Sequence, residues 1–284
     1  MPSLLDIRRR IRSVKNTQQL TKAMKTVSAA KLRRAQERVF SARPYADQLK
    51  KVLVNLTARQ EDLTHPLLEV RPEQKILFIV VTADRGLCGA FNSNITRTAQ
   101  LFLRDHSGQE IKVLAVGRKG RDFFRRRHVP IRAEFVNIFS RLDYGTAKDI
   151  AETVMQAYSD AEVDAVYILY NEFKSVIQQR IVVEKVLPLS RMDIDKTEPQ
   201  TDYIFEQPPQ EIFNRMLPRY VEIQIYRALL ESAAAEHGAR MASMDTASRN
   251  AGDMIDSLTL NMNRIRQAAI TREIIEVVSG AGAL

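Results

Sequence analysis

The sequence predicts two long terminal helices wound against each other, with an α/β domain inserted between them. Three observations carry that prediction: where glycine and proline fall, how the apolar residues step near both ends, and how strands alternate with helices in the middle. Neither glycine nor proline occurs between Ser3 and Arg43, and the first glycine of the 284 residues is Gly86. From Arg219 to Ser279 there is no proline, and Gly238 and Gly252 are the only glycines. Between these stretches turn residues recur regularly. Long unpunctuated ends around a punctuated middle mean two architectures in one chain.

The ends read as helices by their period. Ile7, Ile11 and Val14 step by four and three. The rhythm weakens through Thr17, Thr21 and Ser28, with Leu20, Met24 and Val27 on a neighbouring stripe, and returns at Leu32, Ala35, Val39, Ala42, Ala46, Leu49, Leu53 and Leu56. Near the other end His237, Met241, Met244, Ser248, Ala251, Ile255, Leu258, Met262, Ile265 and Ala269 alternate steps of four and three. Such a seam stays on one side of a helix only if the helix supercoils against a partner. At ~1.5 Å per residue, residues 3–57 would run about 80 Å and residues 219–279 about 90 Å. A globule of this chain length has a radius of gyration of only ~19 Å. Their matched lengths, and small residues on both seams (Ala29, Ala30, Ala35; Ala233, Ala234, Ala235), favour an antiparallel pair within the chain. A parallel dimer, each helix against its own copy, is the alternative.

The middle alternates strands and helices. Ile76–Val81 reads as a buried strand, then a turn and a helix near Asn92–His106. Lys112–Val116 is a second strand, followed by a basic helix near Lys119–Arg127 and a short strand at Ile131–Phe135. A helix over Thr146–Tyr158 leads to a strand at Ala165–Tyr170, and Val176–Leu187 reads as an edge strand returning antiparallel. Continuously apolar strands between helices argue for a mainly parallel, Rossmann-like sheet covered on both faces. The resulting division is a helix over 1–58, the α/β domain over 72–190, an acidic, proline-containing connector over 191–208, and a second helix over 209–284. Pro208-Pro209 opens that helix and Pro218 kinks or interrupts it.

Composition removes several classes. At 45% hydrophobic and 27% charged the chain is neither disordered nor fibrous. Cys88 is the only cysteine, so no internal disulfide or CxxC site exists. His65, His106, His128 and His237 stand singly, without metal-ligand spacing. No stretch has the ~18 consecutive apolar residues of a membrane span. The start lacks the basic-then-apolar order of a signal peptide, so a cytosolic, reducing location is expected. The net charge of +9 is concentrated at one end: residues 1–50 hold 13 Lys/Arg against 3 Asp/Glu, and the remainder nets −1. A basic arm on a balanced body asks for an acidic partner.

Candidate chemistry is sparse. The turn Asp84-Arg85-Gly86-Leu87-Cys88-Gly89-Ala90-Phe91-Asn92 follows the first strand, where an α/β fold would put a phosphate loop. Its glycines are three apart and match neither GxGxxG nor GxxxxGK[ST]. Gly117-Arg118-Lys119-Gly120 is only a tight turn. Cys88 has no histidine near it in sequence and reads as a small packed residue rather than a nucleophile. Asp84/Arg85 and Glu172/Lys174 read as turn and surface charges. No catalytic, cofactor-binding or metal residue is assigned. Arg8, Arg9, Arg10, Arg12, Lys15, Lys22, Lys25, Lys31, Arg33, Arg34 and Arg38 circle the first helix, interrupted over 38 residues only by Asp6 and Glu37. A solvated face usually mixes signs. The opposite oddity is the end, Val277-Val278-Ser279-Gly280-Ala281-Gly282-Ala283-Leu284, uncharged and small or apolar, which suits an enclosed site.

Three segments together resemble the γ subunit of bacterial F-type ATP synthases. They are Lys15-Asn16-Thr17-Gln18-Gln19-Leu20-Thr21-Lys22-Ala23-Met24-Lys25 with Ala29–Gln36, the turn Asp84–Gly89 with Phe91-Asn92, and Arg266–Ala281. No long insertion with a cysteine pair follows the α/β region, unlike chloroplast relatives. The resemblance implies an antiparallel shaft inside a ring of α and β subunits, one copy per complex, with the α/β domain as a foot touching ε and a ring of c subunits. It implies a peripheral place on the cytoplasmic face of the bacterial membrane, no cofactor, and no nucleic-acid partner. It also implies hexamer contacts at Met24, Arg33, Arg34, Arg240, Arg266, Gln267, Thr271 and Glu273, and c-ring contacts at Tyr203, Phe205 and Glu206. On the residues alone, a nucleotide enzyme at residues 84–92 and a basic-arm nucleic-acid binder remain as rivals.

Overall fold

A computed structural model describes residues 4–59, 65–140, 142–175, 178–189 and 208–281. Two compact units are present, Met1–Ala29 with Arg240–Leu284, and Ala30–Ala239. The helices α1 (Leu4–Arg59) and α5 (Pro209–Ala281) each contribute to both.

The larger unit holds a five-stranded sheet built from β1 (Lys75–Val81), β2 (Glu110–Val116), β3 (Ile131–Phe135), β4 (Ala165–Phe173) and β5 (Gln179–Leu187), in the order β3-β2-β1-β4-β5. The first four strands are parallel, and β5 returns antiparallel to β4, as expected of the edge strand. From Ile76 to Val81 every residue of β1 is buried, which is what a central parallel strand with helices on both faces requires. The helices α2 (Phe91–Asp105) and α3 (Arg118–Arg125) cover the face that carries Phe78, Val80, Val113 and Ala115, burying Ile95, Ala99 and Phe124. Phe102 stacks on Phe78 at 4.2 Å between centroids. The next crossover runs back past β1, so the right-handed rule carries α4 (Tyr144–Ser159) to the other face. Asp143 caps α4 by accepting from Thr146 N at 2.9 Å.

Within this unit α5 is buried nearly all round: Leu229, Leu230, Glu231, Ser232, Ala233, Ala234, Ala235 and Glu236 have almost no exposed surface. A helix with that profile is an interior element, here packed against both α1 and the sheet. From His237 onward the burial narrows to the predicted seam. Of the kink or interruption expected at Pro218, no interruption occurs. α5 continues through Pro218, and α1 continues through Pro44. Buried Leu217, Tyr220 and Val221 beside Pro218 supply packing that outweighs one missing backbone hydrogen bond.

In the smaller unit the helices run antiparallel. Lys25 Nζ meets Asp245 Oδ1 at 2.6 Å, and Gln18 Nε2 donates to the Ser248 carbonyl at 3.3 Å. Going back along α1 therefore goes forward along α5. The α1 seam differs from the one expected. It differs at one position, Gln18 standing in it rather than Thr17: Ile7, Ile11, Val14, Gln18, Thr21 and Ser28 lead into Leu32, with Met24 half-buried where Lys25 is exposed. Thr17 is exposed and bonds back to the Ser13 carbonyl, while Leu20 and Val27 face solvent at 61% and 56% exposure. The seam stays regular in position while its chemistry turns polar. An apolar count therefore follows the wrong stripe.

Candidate functional site

The crevice at the C-terminal ends of the strands, where open α/β sheets place ligands, is built here from packing contacts. Thr82 follows β1; its hydroxyl donates to the Val116 carbonyl (3.0 Å) and accepts from Gly120 N (2.8 Å). Lys119 N donates to the Ala83 carbonyl and Arg118 N to Asp84 Oδ1 (3.0 Å). The amides at the start of α3 that could cradle a phosphate are thereby consumed. A Cβ at Gly117 would lie 2.0 Å from the Thr82 carbonyl oxygen, and one at Gly120 would lie 2.8 Å from its hydroxyl. These glycines admit Thr82, not a ligand. Asp84 also accepts from Asn137 N (2.8 Å), so its carboxylate ties three loops together instead of serving as a turn charge beside Arg85. Cys88 is buried, its sulfur 3.2 Å from Asn92 Nδ2, in the packed role expected of it. Glu172 and Lys174 pair at 2.7 Å.

At the end of β4 the occupant is α5 itself. Ser232 Oγ accepts from Asn171 N (3.2 Å), and Glu231 Oε2 accepts from Phe173 N (3.0 Å). The other oxygen of Glu231 takes Arg43 Nη2 and Nε from α1 at 2.8 and 3.3 Å. One carboxylate, 3% exposed, thus joins α1, α5 and the sheet. Around it, Gln179 Nε2 donates to the Ala235 carbonyl, Arg38 Nη1 to the Leu142 carbonyl, and the Tyr144 hydroxyl to Glu222. Burial, and then the hydrogen bond to the Glu222 carboxylate, push the Tyr144 phenol up to about 12, so it remains a donor. Sequence reading missed Glu231, Arg43 and Tyr144. The available signal was a carboxylate inside the apolar run Ala228–Ala235.

The remaining surface of interest is on the helix pair. Extending the register of Lys25 and Gln18 to Leu4 brings the start of α1 opposite the turn of α5 around Met262–Arg266. Beyond it α5 has no partner helix among the described residues, and residues 270–279 are all exposed. Ile270, Ile274, Ile275, Val277 and Val278 stand 47–71% exposed. With Glu273, four of them line an open groove of about 250 Å³. A helix end presenting isoleucine and valine to water marks an interaction surface.

Of the residues expected to face a hexamer, Arg266, Gln267, Thr271 and Glu273 lie together on this end of α5, all exposed. Met24 and Arg240 are half-buried in the smaller unit. Arg33 and Arg34 are exposed in the larger unit, and among the described residues Arg33 meets only Glu37 one turn on, at 3.3 Å with 84% of its side chain exposed. Tyr203, Phe205 and Glu206 lie outside the described residues. The described residues contain no group of three or more His, Cys, Asp or Glu able to hold a metal ion, and no helix long and apolar enough to cross a membrane.

A doubly wound sheet whose ligand crevice is filled by its own C-terminal helix, together with a unit in which the two terminal helices run antiparallel, defines a class: stalk-type subunits built around two helices rather than a pocket. The family model described as ATP synthase matches residues 3–284, and the chain belongs to that family. It is 54% identical over 287 residues to the ATP synthase gamma chain of Solibacter usitatus, covering 100% of this chain and 99% of the relative. To the gamma chain of Pelotomaculum thermopropionicum it is 52% identical with both chains fully covered. Among solved structures it resembles a chain of the Tetrahymena thermophila mitochondrial ATP synthase central stalk and c ring, with TM-score 0.65, 29% identity, and coverage of 81% of this chain and 99% of the other. A rotor chain of the Euglena gracilis mitochondrial ATP synthase shares the fold at TM-score 0.65 and 16% identity, over 94% and 98% of the two chains.

Proposed function

We propose that this chain is the central rotor shaft of a bacterial F-type ATP synthase. It couples rotation of a proton-driven c ring to successive conformational changes at the nucleotide sites of the surrounding α and β subunits, and holds no catalytic site of its own. The observation that carries this reading is the unpartnered apolar end of α5, Ile270–Val278, on a chain related over its whole length to gamma chains. A bearing must turn without binding tightly. Branched apolar side chains in an apolar sleeve allow this, whereas a fixed charge would be costly to desolvate. The basic face of α1 suits acidic levers on the β subunits, because exposed ion pairs are individually weak and can break and reform during each turn.

The α/β unit then serves as the foot toward ε and the c ring, and the complex sits on the cytoplasmic face of the membrane as a peripheral assembly. Met24, Arg33, Arg34, Arg240, Arg266, Gln267, Thr271 and Glu273 are the proposed hexamer contacts, and Tyr203, Phe205 and Glu206 the proposed c-ring contacts. The crevice geometry supports the non-catalytic part, since Thr82 and the first amides of α3 satisfy one another. The decisive experiment is single-particle rotation: the chain is assembled with α and β subunits, and a bead is fixed to its α/β unit. ATP-driven, unidirectional stepping is expected. A complex that hydrolyses ATP while the bead stays still would overturn the reading.

A further inference from the structure

The outer strand β3 offers an edge that the rotor reading does not use. Among the described residues β3 pairs with β2 alone, so its other side is open. Beside it lies an open groove of about 540 Å³. Val129, Ile131 and Ala133 give this groove an apolar lining, and Arg125, His128 and Arg132 give it basic groups. Its one acid, Glu134, is already held by Arg125 at 2.8 Å. Natural edge strands are commonly guarded by a charged side chain at the edge. Here the strand's only cation, Arg132, is engaged elsewhere, by Glu162 (2.8 Å) and the Thr153 carbonyl (3.4 Å).

From the start of α3 into β3 the charge is strongly one-sided. Residues 118–132 carry seven Lys/Arg and a single acid, Asp122, which Arg121 neutralises at 2.8 Å. Arg126 and Arg127 are exposed and form no ion pair among the described residues. Both are presented by a fixed turn. His128 stands at φ 55° to end α3, and Val129 N donates back to the Phe124 carbonyl at 3.2 Å. Arg127 is braced over the Phe123 ring at 3.8 Å.

We propose that the β3 edge and the end of α3 form a docking site for an extended acidic segment of a partner protein, which lies along β3 as a sixth strand with its carboxylates at Arg126 and Arg127. Main-chain pairing along an open edge supplies affinity, and alternate side chains supply selection. An acidic strand with apolar residues on its second face meets both halves of the groove lining. A lipid headgroup would use the cations but leave the edge and the apolar lining unused, so the observations favour a peptide.

The test uses the full-length chain, a capped alternating Glu-Val octapeptide as probe, an all-Glu octapeptide as control, and phosphatidylglycerol vesicles as competitor. Fluorescence anisotropy reads binding, and amide hydrogen exchange reads residues 131–135. The expected result is binding of the Glu-Val peptide with slowed exchange in β3. The double substitution Arg126→Glu, Arg127→Glu should weaken binding at least about tenfold and shift the thermal transition only slightly, since it removes one exposed bond, Arg126 Nε to the Asp122 carbonyl, and the Arg127–Phe123 contact. No binding overturns the proposal. So does binding without β3 protection, equal binding of the all-Glu peptide, binding indifferent to the double substitution, or displacement by vesicles without loss of the protein fold. The last outcome would assign the patch to a membrane surface.

Discussion

Glu231 shows how a single side chain can be structurally decisive while lying far from any chemistry. It is a buried carboxylate that accepts from Arg43 on α1 and from the backbone of Phe173 on β4. Glu231→Ala leaves a half-buried guanidinium and a buried amide without their acceptor. The expected loss is about 2 kcal/mol in urea denaturation. Glu231→Gln keeps an oxygen for Phe173 N and should lose less. Gly117 is the backbone counterpart. It combines a φ of 90° with a Cβ position 2.0 Å from the Thr82 carbonyl oxygen. Gly117→Ala should therefore cost more than about 2 kcal/mol, seen as a lowered thermal transition. At Asp245 the effect is electrostatic. Its hydrogen bond from Lys25 holds the carboxyl below its ordinary 3.8. A depressed folded-state pKa contributes stability that is present above the unfolded value and lost as pH falls through the folded one. The Lys25 pair is thus intact at neutral pH and broken only in strong acid. Lys25→Met should raise the Asp245 pKa toward 3.8, as carboxyl NMR titration would report.

The helix elements divide into a part held by burial and a part held by register. Between Leu229 and Glu236 α5 is enclosed on every side, whereas in the smaller unit it offers only a narrow seam. That seam faces Gln18, Thr21 and Ser28, whose hydroxyls and amide replace the leucines of the distal half of α1. Thr21 bonds to its own helix, at the Gln18 carbonyl, so replacing it strands no partner. Thr21→Val with Ser28→Ala should stabilise the pair by about 1 kcal/mol, and a denaturant midpoint shifted down would refute this. The exposed end of α5 should respond in the opposite way. Val277 and Val278 are exposed, so removing residues 277–284 should move unfolding by less than about 0.5 kcal/mol, while rotation in the assembled complex weakens without stopping.

At the scale of the whole molecule the asymmetry of charge matters more than its sum. Thirteen Lys/Arg and three Asp/Glu in residues 1–50 leave the rest of the chain at −1. Arg33 and Arg34 contribute to that excess at little structural cost, since both are exposed and Arg33 pairs, among the described residues, only with the exposed Glu37. Reversing both to Glu should leave the circular dichroism spectrum and the fold of the α/β unit unchanged, yet alter the ratio of proton pumping to ATP hydrolysis in reconstituted vesicles. An unchanged ratio would remove these two residues from the proposed hexamer contact.

The amino-acid order by itself determined the two classes of element and their alternation. Burial in a helix pair and in a covered parallel sheet imposes apolar periods that survive in one dimension, which is why Ile131–Phe135, the antiparallel return of β5 and the seam from His237 to Ala269 were legible. The bacterial γ-subunit motifs were legible too, because they are contiguous. Only the tertiary structure decided that Gln18 sits in the seam while Leu20 and Val27 face water, and that α5 passes through Pro218. It also decided that Thr82, Glu231 and Ser232 fill the crevice where a ligand would otherwise go. Hydrogen bonds between residues as distant as Arg43 and Glu231 leave no period in the sequence. A polar residue reads as surface until the partner that satisfies it is known.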